Sequence, residues 1–553
     1  MMKKFSWCLF IAFVIVKLLW NGLSEPLVEV HWDSVVHLDH AKQFADTALI
    51  KHHAQQADII AAQVRGPWPH GKQFSLAYWR FSRLGHIALL GMIVTMVGAR
   101  EEAIIAAHWL YNTLMALTMV LAVLFILAVV NHLGINCPQY VVLWAAAGSA
   151  VLYMLSPIYD YMGCSLVSEV PAMFLLTVAN LLLITGLHHR SLVLSGLSGL
   201  SAFSAYTVRL ESVWLYIAFG VVLAATRWGL RSRTPWWRTY VCAGSTTLAC
   251  YLLYAWYFYP LANPYLFILF AKYQPSWGRE WTAPIYISMS VAGGLLWIGG
   301  CASMIAMTRW TAVRMACAWG GMTLLPAMPY LISNALYMVP LQVRMLTVTV
   351  VLPLLLASTL GWASFWPENH RWLRYSVVAV TVSTVLLGII AMVPAVGRLQ
   401  GFPGFGMLNH IRAFLLVPRY ERKTYRFDEM NRISHVLYSQ NTPVLLVYEQ
   451  HGIGGEDLAL IRFFGPPYPP QANLTMIQAH YDVQCEESMP APPNLEKVSY
   501  CIGMTTAKLH QFLEQGITVF FLTSLLSQDD LTMPFRSITV LHTQHYRLGI
   551  IVP

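Results

Sequence analysis

The chain has 553 residues, 57% of them hydrophobic and 11% charged, with a formal net charge of +9 and a mean hydropathy of +0.53. Soluble proteins carry roughly 25% charged residues, so a cytoplasmic enzyme is excluded, and apolar runs near the bilayer-spanning length of about 20 residues recur from residue 5 to residue 396. The basic residues sit largely in the turns between those runs, where they orient a chain in a membrane rather than bind nucleic acid.

In chain order, Met1-Met2-Lys3-Lys4 precedes the apolar run FSWCLFIAFVIV, read as an uncleaved first span within 1–24. A cleaved signal with a small-x-small site at Gly22-Leu23-Ser24 is the alternative, and either choice places residue 25 outside the cytoplasm. Residues 25–100 then form an outer loop of amphipathic helical pieces. Within it 84–99 is apolar but only 16 residues long, near the lower limit for crossing. With that piece in the interface, a helical module over 101–397 is predicted with spans near 103–131, 140–157, 170–188, 191–208, 212–226, 239–259, 284–307, 311–331, 343–365 and 373–396. The first span brings the number to eleven, and the fold class is a polytopic α-helical membrane protein of about eleven to thirteen spans with a C-terminal soluble α/β domain.

This parity places Arg190, then Arg227, Arg231, Arg233 and Arg238, then Arg309 and Arg314, then Arg371 and Arg374 in inner turns, as the positive-inside rule requires. An odd number of spans sends the tail, 398–553, to the outer side. Charge supports a separate body there: residues 1–417 hold 13 Asp+Glu and 25 Lys+Arg, whereas the last 136 residues hold 13 and 10. From about 426 the tail alternates helix (FDEMNRISHVLYSQ), strand (PVLLVYE), helix (EDLALIRFF), strand (LTMIQAH), helix (TTAKLHQFLEQG), strand (ITVFFLT) and terminal strands (SITVLHT, YRLGIIV), the pattern of a small α/β layer domain. Seven cysteines are scattered singly in or beside apolar segments, but Cys485 and Cys501 are the only two in the tail, and an oxidising outer compartment would let them pair.

Twelve of the thirteen acids of residues 1–417 gather on the outer face, so chemistry belongs there. In HWDSVVHLDHAKQFADTALI, residues 31–50, Asp33 and His37 stand one helical turn apart, and such a carboxylate can take a proton from an acceptor hydroxyl. The alternative is a solvated helix start in which Asp33 caps or faces water. His31, Asp33, His37 and His40 also offer ligands to a divalent metal, which nothing else in the sequence indicates; no cofactor is implied. The hairpin 157–171, PIYDYMGCSLVSEVP, carries Asp160 and Glu169 at the mouth of two spans, and an acid that begins a span is costly unless it lines a wet cavity or meets a partner. Helix capping by Ser168 or Glu169 is the competing role. Arg209, Lys272, Arg279 and Arg344 are outer cations that oppose the orientation rule, and each could hold a phosphate. Arg209 and Arg279 have Glu211 and Glu280 as neighbouring partners, but Arg344 has no adjacent acid.

These residues resemble the GT-C superfamily of polytopic glycosyltransferases, which includes protein O-mannosyltransferases and the aminoarabinose transferase of lipid A. Members are similar in order: a first span, an outer loop opening with Asp-Glu-x-x-Tyr-x-x-x-Ala, an acid-bearing second loop, a late Arg segment and often a periplasmic α/β domain. Asp33 and Ala41 match the first motif, while Ser34 replaces its second acid and His37 its Tyr. SPIYDYMGCSLVSEVPAMFLLTVANLLLI is similar to the second-loop segment, and VRMLTVTVVLP, with Arg344 and Pro353, resembles the late Arg segment. The likeness covers the layout of residues 5–365.

The resemblance implies an inverting transfer of a hexosyl or pentosyl group from a polyprenyl-phosphate carrier to a hydroxyl of a glycan, lipid or protein on the outer face. In that scheme Asp33 is the general base beside His37, Asp160 or Glu169 orients acceptor or sugar, and Arg344 with Arg209 or Arg279 neutralises the departing phosphate. It also implies the bacterial inner membrane, with the tail periplasmic. Two other classes stay open on sequence: a multi-span transporter, which would place its charges nearer the midplane, and a non-catalytic membrane protein of polysaccharide assembly.

Overall fold

The computed structural model describes residues 2–23, 32–46, 83–132, 138–155, 159, 162–163, 166–209, 212, 216–217, 219–220, 237–258, 352, 355–356, 359, 427–440, 444–449, 455–466, 474–479, 501–502, 513–525 and 536–552. The chain divides into two compact units. One comprises Met1–Leu27, His53–His86 and Ala107–Glu421; the other comprises Val28–His52, Ile87–Ala106 and Arg422–Pro553. The helices named here are α1 (Met2–Gly22), α2 (Trp32–Asp46), α3 (Leu84–Val97), α4 (Glu101–His132), α5 (Gln139–Met154), α6 (Glu169–His189), α7 (Leu192–Val208) and α8 (Trp237–Phe258).

The first unit is built for lipid. At about 1.5 Å per residue, the 32 residues of α4 exceed the roughly 30 Å of a hydrocarbon core, and α4 and α6 are both long and apolar enough to cross a membrane. The outward faces of α1, α7 and α8 expose Val16, Trp20, Val193, Leu248, Leu252, Leu253 and Trp256. Apolar surface on that scale is not left to water by soluble proteins, so the surrounding solvent is the bilayer.

Within this unit close approach relies on small residues, as in membrane bundles generally. Arg190, in the left-handed region at φ 55°, turns the chain between α6 and α7, and the two helices then run antiparallel. Ser198 Oγ donates to the Ala179 carbonyl at 2.6 Å and Ser201 Oγ to that of Leu175 at 2.9 Å. By contrast α7 and α8 run parallel: Gly199 lies against the Ala243 carbonyl, and further on Tyr206 sets its ring against Tyr251 at 5.4 Å. Parallel neighbours require the chain to return between them. Tyr216, bonded to Ser198 at 2.6 Å, and Phe219, packed on Phe125 at 4.9 Å, lie on the expected return at 212–226. Because a side chain at Gly199 would meet backbone, Gly199→Val is expected to lower stability by about 1–3 kcal/mol, read as a reduced midpoint of thermal unfolding in detergent.

The second unit holds the tail. It contains α9 (Phe427–Tyr438), β1 (Val444–Glu449), α10 (Gly455–Phe463), β2 (Leu474–Ala479), β3 (Cys501–Ile502), β4 (Thr518–Ser524), β5 (Arg536–His542) and β6 (Tyr546–Val552). These elements match the alternation read from the sequence; of the expected helix at 505–516 only 513–516 are described, helical at 513–514 and a turn at 515–516, and β3 is an addition. One six-stranded sheet has the order β3-β2-β1-β4-β6-β5, parallel across its first four strands and antiparallel at β4-β6-β5. Central strands of a parallel sheet are covered on both faces, which is why Val444–Val447 and Val519–Leu522 are buried without alternation. Met430, Ile433 and Leu437 form the buried stripe of α9. Glu429 ties that helix to the β5–β6 turn, accepting from Thr543 Oγ1 at 2.5 Å and from the His545 backbone N–H at 3.2 Å, with His545 Nδ1 at 3.0 Å.

The same unit takes in α2, whose residues His37–Lys42 are all buried. Arg462 Nε donates to Asp39 Oδ2 at 3.0 Å, and Lys42 Nζ donates to the carbonyls of Arg462 and Gly465 at 2.9 and 2.6 Å. Those carbonyls lie in the last turn of α10 and just past it, where the helix dipole favours a cation. Burial pushes the Lys42 ammonium down to about 8 from 10.5, against the opposing pull of Asp46 and Asp39. The unfolded chain therefore keeps this proton up to about pH 10.5 whereas the folded unit releases it near pH 8. The burial penalty, about 3 kcal/mol at 1.36 kcal/mol per unit, is full below pH 8 and relieved as the pH climbs to 10.5. Thermal stability is expected to rise across that window in the wild type and to stay flatter in Lys42→Met.

Candidate functional site

The hairpin before α6 and the end of α7 bring two ionised side chains together inside the apolar unit. Ser168 occupies the N-cap position without a side-chain capping bond. Its hydroxyl instead donates to Glu169 Oε2 at 3.4 Å and accepts from Arg209 Nη1 at 3.5 Å. Because α6 and α7 are antiparallel, the start of one and the end of the other lie at one level, and Arg209 Nη1 reaches Glu169 Oε1 at 2.6 Å. The two side chains are 3% and 0% exposed. A pair this buried has a desolvation penalty comparable to its attraction, so it is poor evidence of a stability device. Charges kept at such a position mark a functional site by default.

Other polar side chains of the same unit converge there. The Tyr111 hydroxyl and His86 Nδ1 are 2.7 Å apart, both residues fully buried, and Glu169 acts electrostatically on Tyr111. One turn of α4 also presents His108, whose Nε2 lies 3.0 Å from the Asn21 carbonyl, and Asn112, whose Nδ2 donates to the His108 carbonyl at 3.1 Å. Gly163 admits this arrangement: a Cβ there would stand 2.7 Å from Asn112 Oδ1 and 3.3 Å from Asn21 Nδ2. The unit thus holds a buried carboxylate–guanidinium pair, a phenol–imidazole pair on which the carboxylate acts, and a second imidazole at the end of α1. This set can hold an anion through Arg209 and exchange protons through Glu169 or a histidine.

Of the residues predicted from the sequence, Glu169 and Arg209 are brought together. The sequence offered Glu211, which lies outside the described residues, as a partner of Arg209; the structure pairs Arg209 with Glu169, which no local spacing could indicate. Asp33 is the second residue of α2, its side chain outside the described residues, and His37 on the same helix is buried; both belong to the second unit. Asp160, Lys272, Arg279, Arg344 and Cys485 lie outside the described residues, and Cys501 is described only as backbone of β3. Among the described residues no group of three or more His, Cys, Asp or Glu side chains is gathered to hold a metal. Sequence reading passed over His86, His108, Tyr111 and Asn112. The available signal was their polarity within apolar runs, with His108 and Asn112 at i and i+4.

No protein-family model matches the chain, and no curated protein matches it. Among solved structures it is similar to the crystal structure of ArnT from Cupriavidus metallidurans bound to undecaprenyl phosphate, at 13% identity and a TM-score of 0.49 over 98% of this chain and 97% of that one. It is similar also to the same protein in the apo state, at 14% identity and a TM-score of 0.45 over 98% and 97%.

Proposed function

We propose that this chain is a GT-C-type glycosyltransferase of the bacterial inner membrane, moving a hexosyl or pentosyl group from a polyprenyl-phosphate carrier to a hydroxyl of a glycan, lipid or protein on the outer face. The observation that carries the proposal is the buried Glu169–Arg209 pair at the mouth of two apolar helices; the sequence adds an acid, Asp33, following the first apolar helix. A lipid-borne donor needs its phosphate met near the bilayer surface by a cation and its sugar met by a carboxylate.

In this mechanism the Asp33 carboxylate takes the proton of the acceptor hydroxyl, whose oxygen attacks the anomeric carbon. The bond from that carbon to the phosphate oxygen breaks, and the polyprenyl phosphate leaves with the electron pair. His37, one turn from Asp33, contacts the acceptor or sugar, and Asp160 or Glu169 orients it. Arg344, with Arg209, Arg279 or Lys272, neutralises the phosphate.

The test is a transfer assay with the purified protein in proteoliposomes, supplied with hexosyl and pentosyl polyprenyl phosphates and with cell-envelope glycans, lipids and proteins as hydroxyl acceptors, and followed by the appearance of free polyprenyl phosphate. Sugar-dependent release with inversion at the anomeric carbon is the expected result, and no release from any donor would overturn the reading. The orientation has its own check. A cysteine introduced at Ser232 in the four-arginine turn is expected to be shielded from an impermeant thiol reagent in intact cells, and one introduced at Ser276 to be labelled; the reverse pattern rejects an outer active face.

A further inference from the structure

We propose that the α/β tail is the mount of the helix that bears Asp33, with Arg462 and Lys42 as positioning residues for the transfer; this rests on the catalytic role of Asp33 proposed above. The tail is 376 residues beyond α2 at its nearest helical end, Asp46 to Arg422, yet α2 is packed into its unit. Apolar contact alone, through Leu38 and Ala41, both fully buried, would leave the helix able to slide and rotate. Two polar contacts remove both freedoms. Asp39, 7% exposed, accepts from Arg462 Nε at 3.0 Å, and one turn on Lys42 Nζ closes on two carbonyls at the end of α10. On its other side α2 meets α3, where Gly91 lets the Phe44 ring and the Ala41 carbonyl approach its backbone.

The helix is continuous from Trp32 to Asp46, so what holds Asp39 and Lys42 also holds the start of α2. Asp33 precedes Asp39 by six residues, about 9 Å at 1.5 Å per residue. A general base acts only within hydrogen-bond reach of its proton, and a displacement of about 1 Å can lower a rate roughly a hundredfold. A carboxylate on an otherwise free outer helix would lack that placement; one on a helix pinned at two points has it. The tail then need not touch substrate to be required for transfer.

The experiment compares the full-length protein with Arg462→Gln, Arg462→Lys and Lys42→Met in proteoliposomes. Three readouts are taken: kcat for sugar release, the Kd for undecaprenyl phosphate as probe lipid, and hydrogen exchange of the 32–46 amides. Arg462→Gln and Lys42→Met are expected to lower kcat at least tenfold with Kd unchanged and to speed exchange in 32–46 but not in β1 or β4; Arg462→Lys, which keeps the cation, is expected to restore most of both. Unchanged kcat and unchanged exchange in Arg462→Gln and Lys42→Met would overturn the proposal, as would exchange rising equally in β1 and β4, which marks general loosening of the unit. If the wild type releases no sugar from any donor, the proposed function fails; the exchange pattern then decides alone whether Arg462 and Lys42 hold α2.

Discussion

Transfer by Asp33→Asn is expected to fall by roughly 10²–10⁴-fold, the contribution attributed to a positioned general base. The amide keeps the shape of the carboxylate and the start of α2, so the second unit should fold as before, and the probe lipid should bind with wild-type affinity if the phosphate is met by cations elsewhere, as proposed. The loss therefore belongs in kcat at saturating donor, the signature of an interaction made only in the transition state. The pH profile supplies a second check: the acid limb that reports the base in the wild type should vanish in Asp33→Asn. Near-normal transfer would remove Asp33 from the mechanism and make Asp39 or Glu169, each paired with an arginine, the acid to test next.

Arg209→Ala is expected to lower stability by about 3–5 kcal/mol, because it leaves the fully buried Glu169 carboxylate without its cation. Glu169→Gln combined with Arg209→Met removes both charges and should recover most of that loss, since an apolar replacement of a buried pair is close to neutral. The loss should also be insensitive to salt, as buried charges are poorly screened. Stability and binding then separate in one series. The double variant is expected to be stable yet weakened in its affinity for undecaprenyl phosphate if Arg209 meets the phosphate; wild-type affinity in a stable double variant would assign the pair to folding alone.

Local sequence patterns carried the elements well. The runs that became α4, α6 and α7 lie within a few residues of their expected limits, and VLLVYE, LTMIQA and TVFFLTS are strands because β-branched and aromatic runs bounded by breakers have few other uses. The separation of the tail was visible in its balance of acid and base, which is a property of composition. In the same way an acid beginning an apolar run was enough to single out Glu169, since its cost in lipid does not depend on what it meets.

What it meets depends on the fold. Arg209 is followed by Glu211, and nothing in YTVRLES reveals that an antiparallel α6–α7 hairpin brings it to Glu169. His86 and Tyr111 each read as one polar residue in an apolar run until packing sets them 2.7 Å apart. The order β3-β2-β1-β4-β6-β5 likewise follows from which covered faces can share a core, a choice no single strand records. The burial of α2 is the largest such difference: its sequence reads as an outer, amphipathic piece, but Asp39 and Lys42 find partners at Arg462 and Gly465. Periodicity and composition are sums over neighbours along the chain and so determine helices, strands and the affinity of each segment for lipid or water. Ion pairs and capped carbonyls join groups tens to hundreds of residues apart, and only the tertiary structure decides which of many chemically equivalent partners is within reach.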